Sequence, residues 1–264
     1  MKVYLGTIHS YGNYNEIIKA GALNFLKKEA EDGKVVMDVL MENYGKYKSF
    51  EGFYLADETC DAWLSQGSPT GGGVSDYRYL YKTQSDYAHE KYPEKKLMTA
   101  PAIWRSSGYV ASEKNLYNLI KPEVEGERAV VDIVAAQDCL GRDNAFTLAG
   151  TSIQFKRSMY QEFEPHIEAW ARGIKKAGAQ FWNDTEVFNG AVYHTKEFTD
   201  IIESIEFESK YTNGTIVFDI PTTLSPLTQK TYNGLKSFYM EYFTAEYTKH
   251  YSKLKDWNYQ NGQN

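Results

Sequence analysis

Gln180-Phe181-Trp182-Asn183-Asp184-Thr185-Glu186-Val187-Phe188 is an apolar, aromatic strand candidate that ends in acid. Two carboxylates and an amide close a segment whose other residues belong in a core. Burying an unpaired charge is costly, so a chain places Asp and Glu there where their chemistry is used. The stretch reads as the carboxyl end of a barrel strand opening onto an active site.

Working outward, the same pattern recurs. The chain opens on a strand at Lys2 to His9, and Glu51 to Glu58 repeats a short apolar run finishing in carboxylates, Asp57 and Glu58. Lys96 to Ala102 is a third strand running out into Trp104, and Ala129 to Asp138 a fourth, ending in Gln137 and Asp138. Helical periodicity fills the gaps: Asn15 to Ala30 with Gly33 as a stop, Lys34 to Tyr44 as a second helix or an extension of the first, then Asp76 to Lys91, Ser112 to Leu119 and Glu162 to Ala177. Ser65 to Ser75, centred on Gly71-Gly72-Gly73, reads as a flexible loop placed to act as a lid or as plain surface. Beyond the opening stretch, Phe198 to Ile202 reads as a short helix, Ser204 to Glu208 as a sixth strand and Thr215 to Ile220 as a last β run. A closing helix with a ring stripe follows from Gln229 to Leu254.

Strands alternating with helices imply a parallel sheet covered on both faces, hence an α/β fold. No glycine-rich phosphate loop follows any strand, which removes the best signal for a nucleotide-binding sheet. Polar groups instead collect at strand carboxyl ends, with Glu206 and Glu208 as further candidates, as in a (β/α)8 barrel. A TIM-barrel-like single domain over 1–264 is therefore expected. The count reaches six clear strands and one weak one where a closed barrel needs eight.

The net charge of −6 and the lack of a basic run argue against nucleic acid as a partner. Aromatic residues make up 15%, with 22 Tyr and 5 Trp, and such rings suit sugar-binding clefts as well as cores and interfaces. Cys60 and Cys139 fit neither a disulfide scaffold nor a CxxC metal site and read as free structural thiols. Met1 is not followed by a signal peptide, and no long apolar stretch suggests a membrane span. As written, the chain reads as cytoplasmic; with a missing N-terminus it would be secreted or periplasmic.

Four segments carry a resemblance to a known family: Lys2-Val3-Tyr4-Leu5-Gly6, Gly52 to Glu58, Asp132 to Gly141 and Phe181 to Phe188. In this order and spacing the chain resembles the bacterial glycosyl-hydrolase-like TIM-barrel family catalogued as a domain of unknown function, DUF4434. In that family a strand, a helix and another strand precede the segment similar to Lys2 to Gly6. The resemblance thus implies a barrel lacking its first two strands. The strand ending in Glu58 becomes strand four and the one ending in Glu186 strand seven, the positions from which retaining barrel glycosidases draw acid/base and nucleophile.

Alternation along each strand puts Tyr54, Ala56 and Glu58 on one side, and Trp182, Asp184 and Glu186 likewise. Glu58 and Glu186 are the expected catalytic pair, one giving a proton to the leaving oxygen and the other attacking the anomeric carbon or activating water. Structural ion pairs with Arg105 or Arg142 are the competing reading. Asp57, Asp184, Asn183, Gln137, Asp138, Trp104 and His9 are the candidate substrate-binding residues, with Asp57 replacing Glu58 if the strand phase is opposite. Asp132 reads as a satisfied core group, and Trp182 more as core than as a stacking platform. The implied partner is a carbohydrate, and neither a metal nor another cofactor is required.

Two other readings compete: a non-catalytic sugar-binding barrel or inactive remnant, and a metal-dependent sugar isomerase using Glu58, Asp138, Asp184 and His9. An incomplete barrel also leaves two open strand edges, which invite pairing between two copies unless terminal segments cover them.

Overall fold

Six strands lie side by side in the order of the chain. They are β1 (Val3–Gly6), β2 (Phe50–Leu55), β3 (Lys96–Thr99), β4 (Ile133–Gln137), β5 (Gln180–Glu186) and β8 (Gly214–Phe218), and every neighbouring pair is parallel. A two-stranded antiparallel hairpin, β6 (Phe188–Asn189) and β7 (His194–Thr195), follows β5. The structure is a computed structural model, and it describes residues 2–7, 22–65, 72–105, 108–141, 153–189, 194–196 and 198–218. A doubly wound sheet reverses its strand order part-way; this one never does. The six strands form a curled half-barrel.

The connecting helices are α1 (Ala22–Tyr44), the single turn α2 (Asp61–Leu64), α3 (Gly73–Lys91), α4 (Tyr109–Ile120), α5 (Ile153–Lys176) and α6 (Phe198–Glu208). Helix α1 packs on α3, α3 on α4 and α4 on α5, so they make one outer layer. Strand alternation sorts the sheet residues between two faces. Phe53, Leu55, Leu97, Val134, Ala136 and Phe181 join the main core under the helices. Met98, Ile133 and Ala135, with Tyr4, Tyr54, Trp182 and Ile216 packed on them, form a separate cluster on the opposite, inner face. Trp182 thus packs as core, and its indole N–H donates to Gln180 Oε1 at 3.2 Å.

Three expected boundaries need correction. Gly33 does not stop a helix: α1 runs unbroken through it. A Cβ there would lie 2.5 Å from Gln84 Nε2 of α3, so this glycine serves a close helix–helix approach. Helix α3 starts at Gly73, inside the segment expected to be loop; Gly73 takes φ +72°, which favours glycine. Ser204 to Glu208 is not a strand but the second half of α6. The local alternation of Ile205 and Phe207 suggested β, whereas Phe198, Ile201, Ile202 and Ile205 repeat at helical spacing, and over eleven residues the longer period prevails. The expected helix from Gln229 to Leu254 lies outside the described residues.

Past their regular ends β2, β3 and β4 stay joined. Single bridges link Cys60 to Ala102 and Ala102 to Gln137, and Ala102 N–H donates to the Thr59 carbonyl at 2.7 Å. Tyr81 of α3 fixes this end from below: its hydroxyl donates to the Asp57 carbonyl at 3.1 Å and accepts from Thr99 Oγ1 at 3.0 Å. The sheet's carboxyl end is thereby held rigid where the acids lie. Cys60 and Cys139 are both buried and outside any disulfide, packed together with Ala102.

Candidate active site at the carboxyl end of the sheet

Strand β5 delivers the acids. Its register against β4 pairs Gln137 with Asp184, and the Asp138 N–H donates to the Asp184 carbonyl at 3.2 Å. With Phe181 turned to the helices and Trp182 to the inner cluster, alternation places Asp184 and Glu186 on the inner side, and Asn183 and Thr185 under the helices.

Glu186 is completely buried, and its Oε2 accepts the Gly141 N–H at 2.8 Å. A Cβ on Gly141 would lie 2.4 Å from the Phe188 carbonyl and 2.9 Å from Glu186 Oε2. Only glycine therefore lets the loop after β4 close on this carboxylate. Asp138 holds the same loop from the other side. Its Oδ1 accepts the Leu140 N–H at 2.9 Å, and its carboxylate faces the Glu186 N–H at 3.4 Å. Between them, Cys139 adopts φ +54°, a left-handed conformation uncommon outside glycine and often found where a chain shapes a site.

Asp184 is 4% exposed. Burial first, and then the charges of Asp138, Glu186 and Glu58, push its carboxyl up to about 8. Carboxyls from the ends of β2, β4 and β5 therefore act on one point. Glu58 and its neighbour Asp57 are only half-buried, at the rim of this group.

A fourth buried acid was expected only as a strand-end group and not among the binding or catalytic residues. Glu208, in the last turn of α6, is fully buried and bonded to Asp138. Its Oε2 accepts from the Asn183 amide and, at 2.7 Å, from the Thr185 hydroxyl. Burial and the adjacent Asp138 raise its carboxyl well above the usual range. Helical spacing was the available signal: Ile201, Ser204 and Glu208 share the buried stripe of α6.

The other expected binding residues divide. Asn183 is enclosed, its Oδ1 accepting from Thr212 at 3.0 Å and Thr215 at 2.9 Å, so its hydrogen bonds belong to the packing beneath α6. Gln137 donates to the Ala100 carbonyl at 3.2 Å and stitches β4 to the end of β3. Trp104 is 44% exposed, its ring edge-on to Trp63 at 5.9 Å, and its backbone N–H donates to Asp61 Oδ1 at 3.1 Å. It forms an open aromatic shelf at the end of β3, followed by Arg105 at φ +58°. His9 lies outside the described residues. Asp132 precedes β4 and is paired with Arg128 at 2.6 Å while accepting the Leu97 N–H, a satisfied structural group as expected.

Among the described residues no group of three or more His, Cys, Asp or Glu is arranged to hold a metal ion. No helix among them is long and apolar enough to cross a membrane. A cavity of about 190 Å³ lined by Lys96, Arg128, Asp132 and Gln180 lies at the opposite, amino end of the strands. In barrels that end serves stability rather than chemistry.

The family model described as "Domain of unknown function (DUF4434)" matches residues 1–230, and the chain belongs to that family. No curated protein matches. Among solved structures the chain is similar to a crystal structure described as a "putative alpha-L-fucosidase" from Bacteroides thetaiotaomicron. Identity is 20%, the TM-score is 0.58, and the match covers 94% of this chain and 68% of that one. At this identity the likeness is one of fold.

Proposed function

We propose that this member of the DUF4434 family is a glycoside hydrolase acting on an oligo- or polysaccharide at the carboxyl end of its sheet, with Glu58 and Glu186 as the paired carboxyls. The observation that supports the reading is the convergence of acids: the Asp184 carboxyl feels Asp138, Glu186 and Glu58 together. Glycoside hydrolysis needs two carboxyls flanking one bond, and parallel α/β barrels assemble them from separate strand ends. The fold likeness to a structure described as a fucosidase agrees with a sugar as the ligand.

In this reading Glu58, at the more open rim, gives its proton to the leaving oxygen. Glu186, oriented by the Gly141 N–H, attacks the anomeric carbon or activates water. A carboxyl separation near 5 Å in the sugar complex means retention, and several Å more means inversion. Trp104 offers an apolar ring face to a sugar further along the chain. The test is hydrolysis of a panel of nitrophenyl glycosides and oligosaccharides by the wild type and by Glu58→Gln and Glu186→Gln.

One observation favours a second reading, a carbohydrate-binding barrel without turnover: the Glu186 side chain is fully enclosed. That reading expects calorimetric binding of saccharides by wild type and both variants alike, with no product formed.

A further inference from the structure

We propose that Asp184 is a hydrogen-bond donor of the site, presenting a carboxyl O–H to an acceptor oxygen of the bound sugar. The inference rests on the glycosidase reading above and goes beyond it by assigning a proton to a third acid. Asp184 lies on the inner side of β5 with Trp182 and Glu186. It is nine-tenths or more buried, and its Oδ1 has no hydrogen-bond partner among the described residues. A buried carboxyl oxygen left in this state is costly unless a ligand or a proton completes it.

The neighbouring groups decide which form the carboxyl takes. Glu186 approaches from the same strand, Asp138 from the loop after β4 and Glu58 from the end of β2. Glu208 of α6 acts on Asp138 behind them, and on the β8 side the register partner is Ile216, which carries no charge. Among the described residues the charged groups acting on Asp184 are acids, and together with burial they hold its proton up to about 8. An ionised carboxylate only accepts hydrogen bonds, whereas a protonated one donates. At neutral pH the oxygen that Asp184 seeks is therefore an acceptor, such as a hydroxyl or ring oxygen. With the carboxyls of Asp138, Glu186 and Glu58 all acting here, a neutral sugar fits this position and a uronate or sulfated sugar is repelled.

The test compares Asp184→Asn and Asp184→Ala with the wild type across pH 5 to 10, on a nitrophenyl glycoside that the wild type hydrolyses. Asparagine keeps a donor of the same shape but cannot lose a proton. The expected result is an Asp184→Asn enzyme whose rate no longer falls through pH 8 and which at pH 7 exceeds Asp184→Ala by at least about tenfold, Asp184→Ala being slower than wild type by about 100-fold. An unchanged alkaline fall in Asp184→Asn, or a loss as deep as that of Glu58→Gln, overturns the proposal. The proton itself is read without turnover. The infrared spectrum at pH 7 should show a protonated-carboxyl stretch in wild type that Asp184→Asn lacks, and identical spectra overturn the assignment whatever the enzyme's activity. Should the infrared difference appear while Glu58→Gln and Glu186→Gln remain fully active, the donor stands and the catalytic pair falls.

Discussion

Gly141 and Glu186 are locked together: the Gly141 N–H donates to Glu186 Oε2 at 2.8 Å, and there is no room for a Cβ between them. This contact joins the loop after β4 to the end of β5 and sets where the buried carboxylate points. Gly141→Ala puts a methyl 2.4 Å from the Phe188 carbonyl, a backbone atom that cannot swing aside. We expect the variant to lose about 1–3 kcal/mol in chemical denaturation and to lower kcat more than it raises KM, because Glu186 is displaced. Wild-type stability and kinetics would separate Gly141 from the site.

Glu208 is fully buried beside Asp138, its carboxyl held well above the usual range, and it accepts from Asn183 and Thr185. Glu208→Gln keeps the shape and the acceptor oxygen that Asn183 and Thr185 use and should cost less than about 1.5 kcal/mol. Glu208→Ala leaves three buried polar partners unsatisfied and should cost about 3–5 kcal/mol. Urea unfolding of the two variants at pH 7 makes the comparison.

The sheet was readable in the sequence because each strand combined an apolar run with a flanking helix of clear period. β5, at Gln180–Glu186, falls within the expected Gln180 to Phe188, β3 and β4 lie within their expected spans, and β2 begins one residue earlier than expected, at Phe50. Trp182, read as core, packs in the inner cluster. Legibility failed where meaning depends on a partner remote in sequence. Gly33 looked like a stop because its reason is Gln84, fifty-one residues on. Glu208 looked like a strand end because its partners, Asp138, Asn183 and Thr185, come from other elements. Asn183 resembled a ligand-binding amide, yet Thr212, Thr215 and Glu208 use its hydrogen-bonding groups.

The buried acids give stability a defined pH dependence. Asp184 is raised from 3.8 to about 8, so the folded state holds a proton that the unfolded chain releases. The contribution to stability is complete below about pH 4 and is lost as pH rises toward 8, at up to about 1.4 kcal/mol per pH unit for one group. Glu208, also raised, acts in the same direction. Thermal unfolding from pH 4 to pH 9 should show a decline that Asp184→Asn flattens; an unchanged slope in that variant would show that Asp184 does not titrate in this window.

Trp104 presents 44% of its surface at the end of β3, with Trp63 edge-on behind it. Removing an exposed ring changes folding little, within about 0.5 kcal/mol. Trp104→Ala should raise KM for an oligosaccharide about tenfold while kcat stays within about twofold, the pattern of lost uniform binding. Steady-state kinetics on a long and a short substrate check this, the short one being affected least.

The paired-carboxyl claim is tested most directly by kcat/KM for Glu58→Gln and Glu186→Gln on a glycoside that the wild type hydrolyses, with circular dichroism confirming that both variants are folded. The account predicts a loss of at least about 100-fold in each, with saccharide binding retained. Full activity in either folded variant would contradict it.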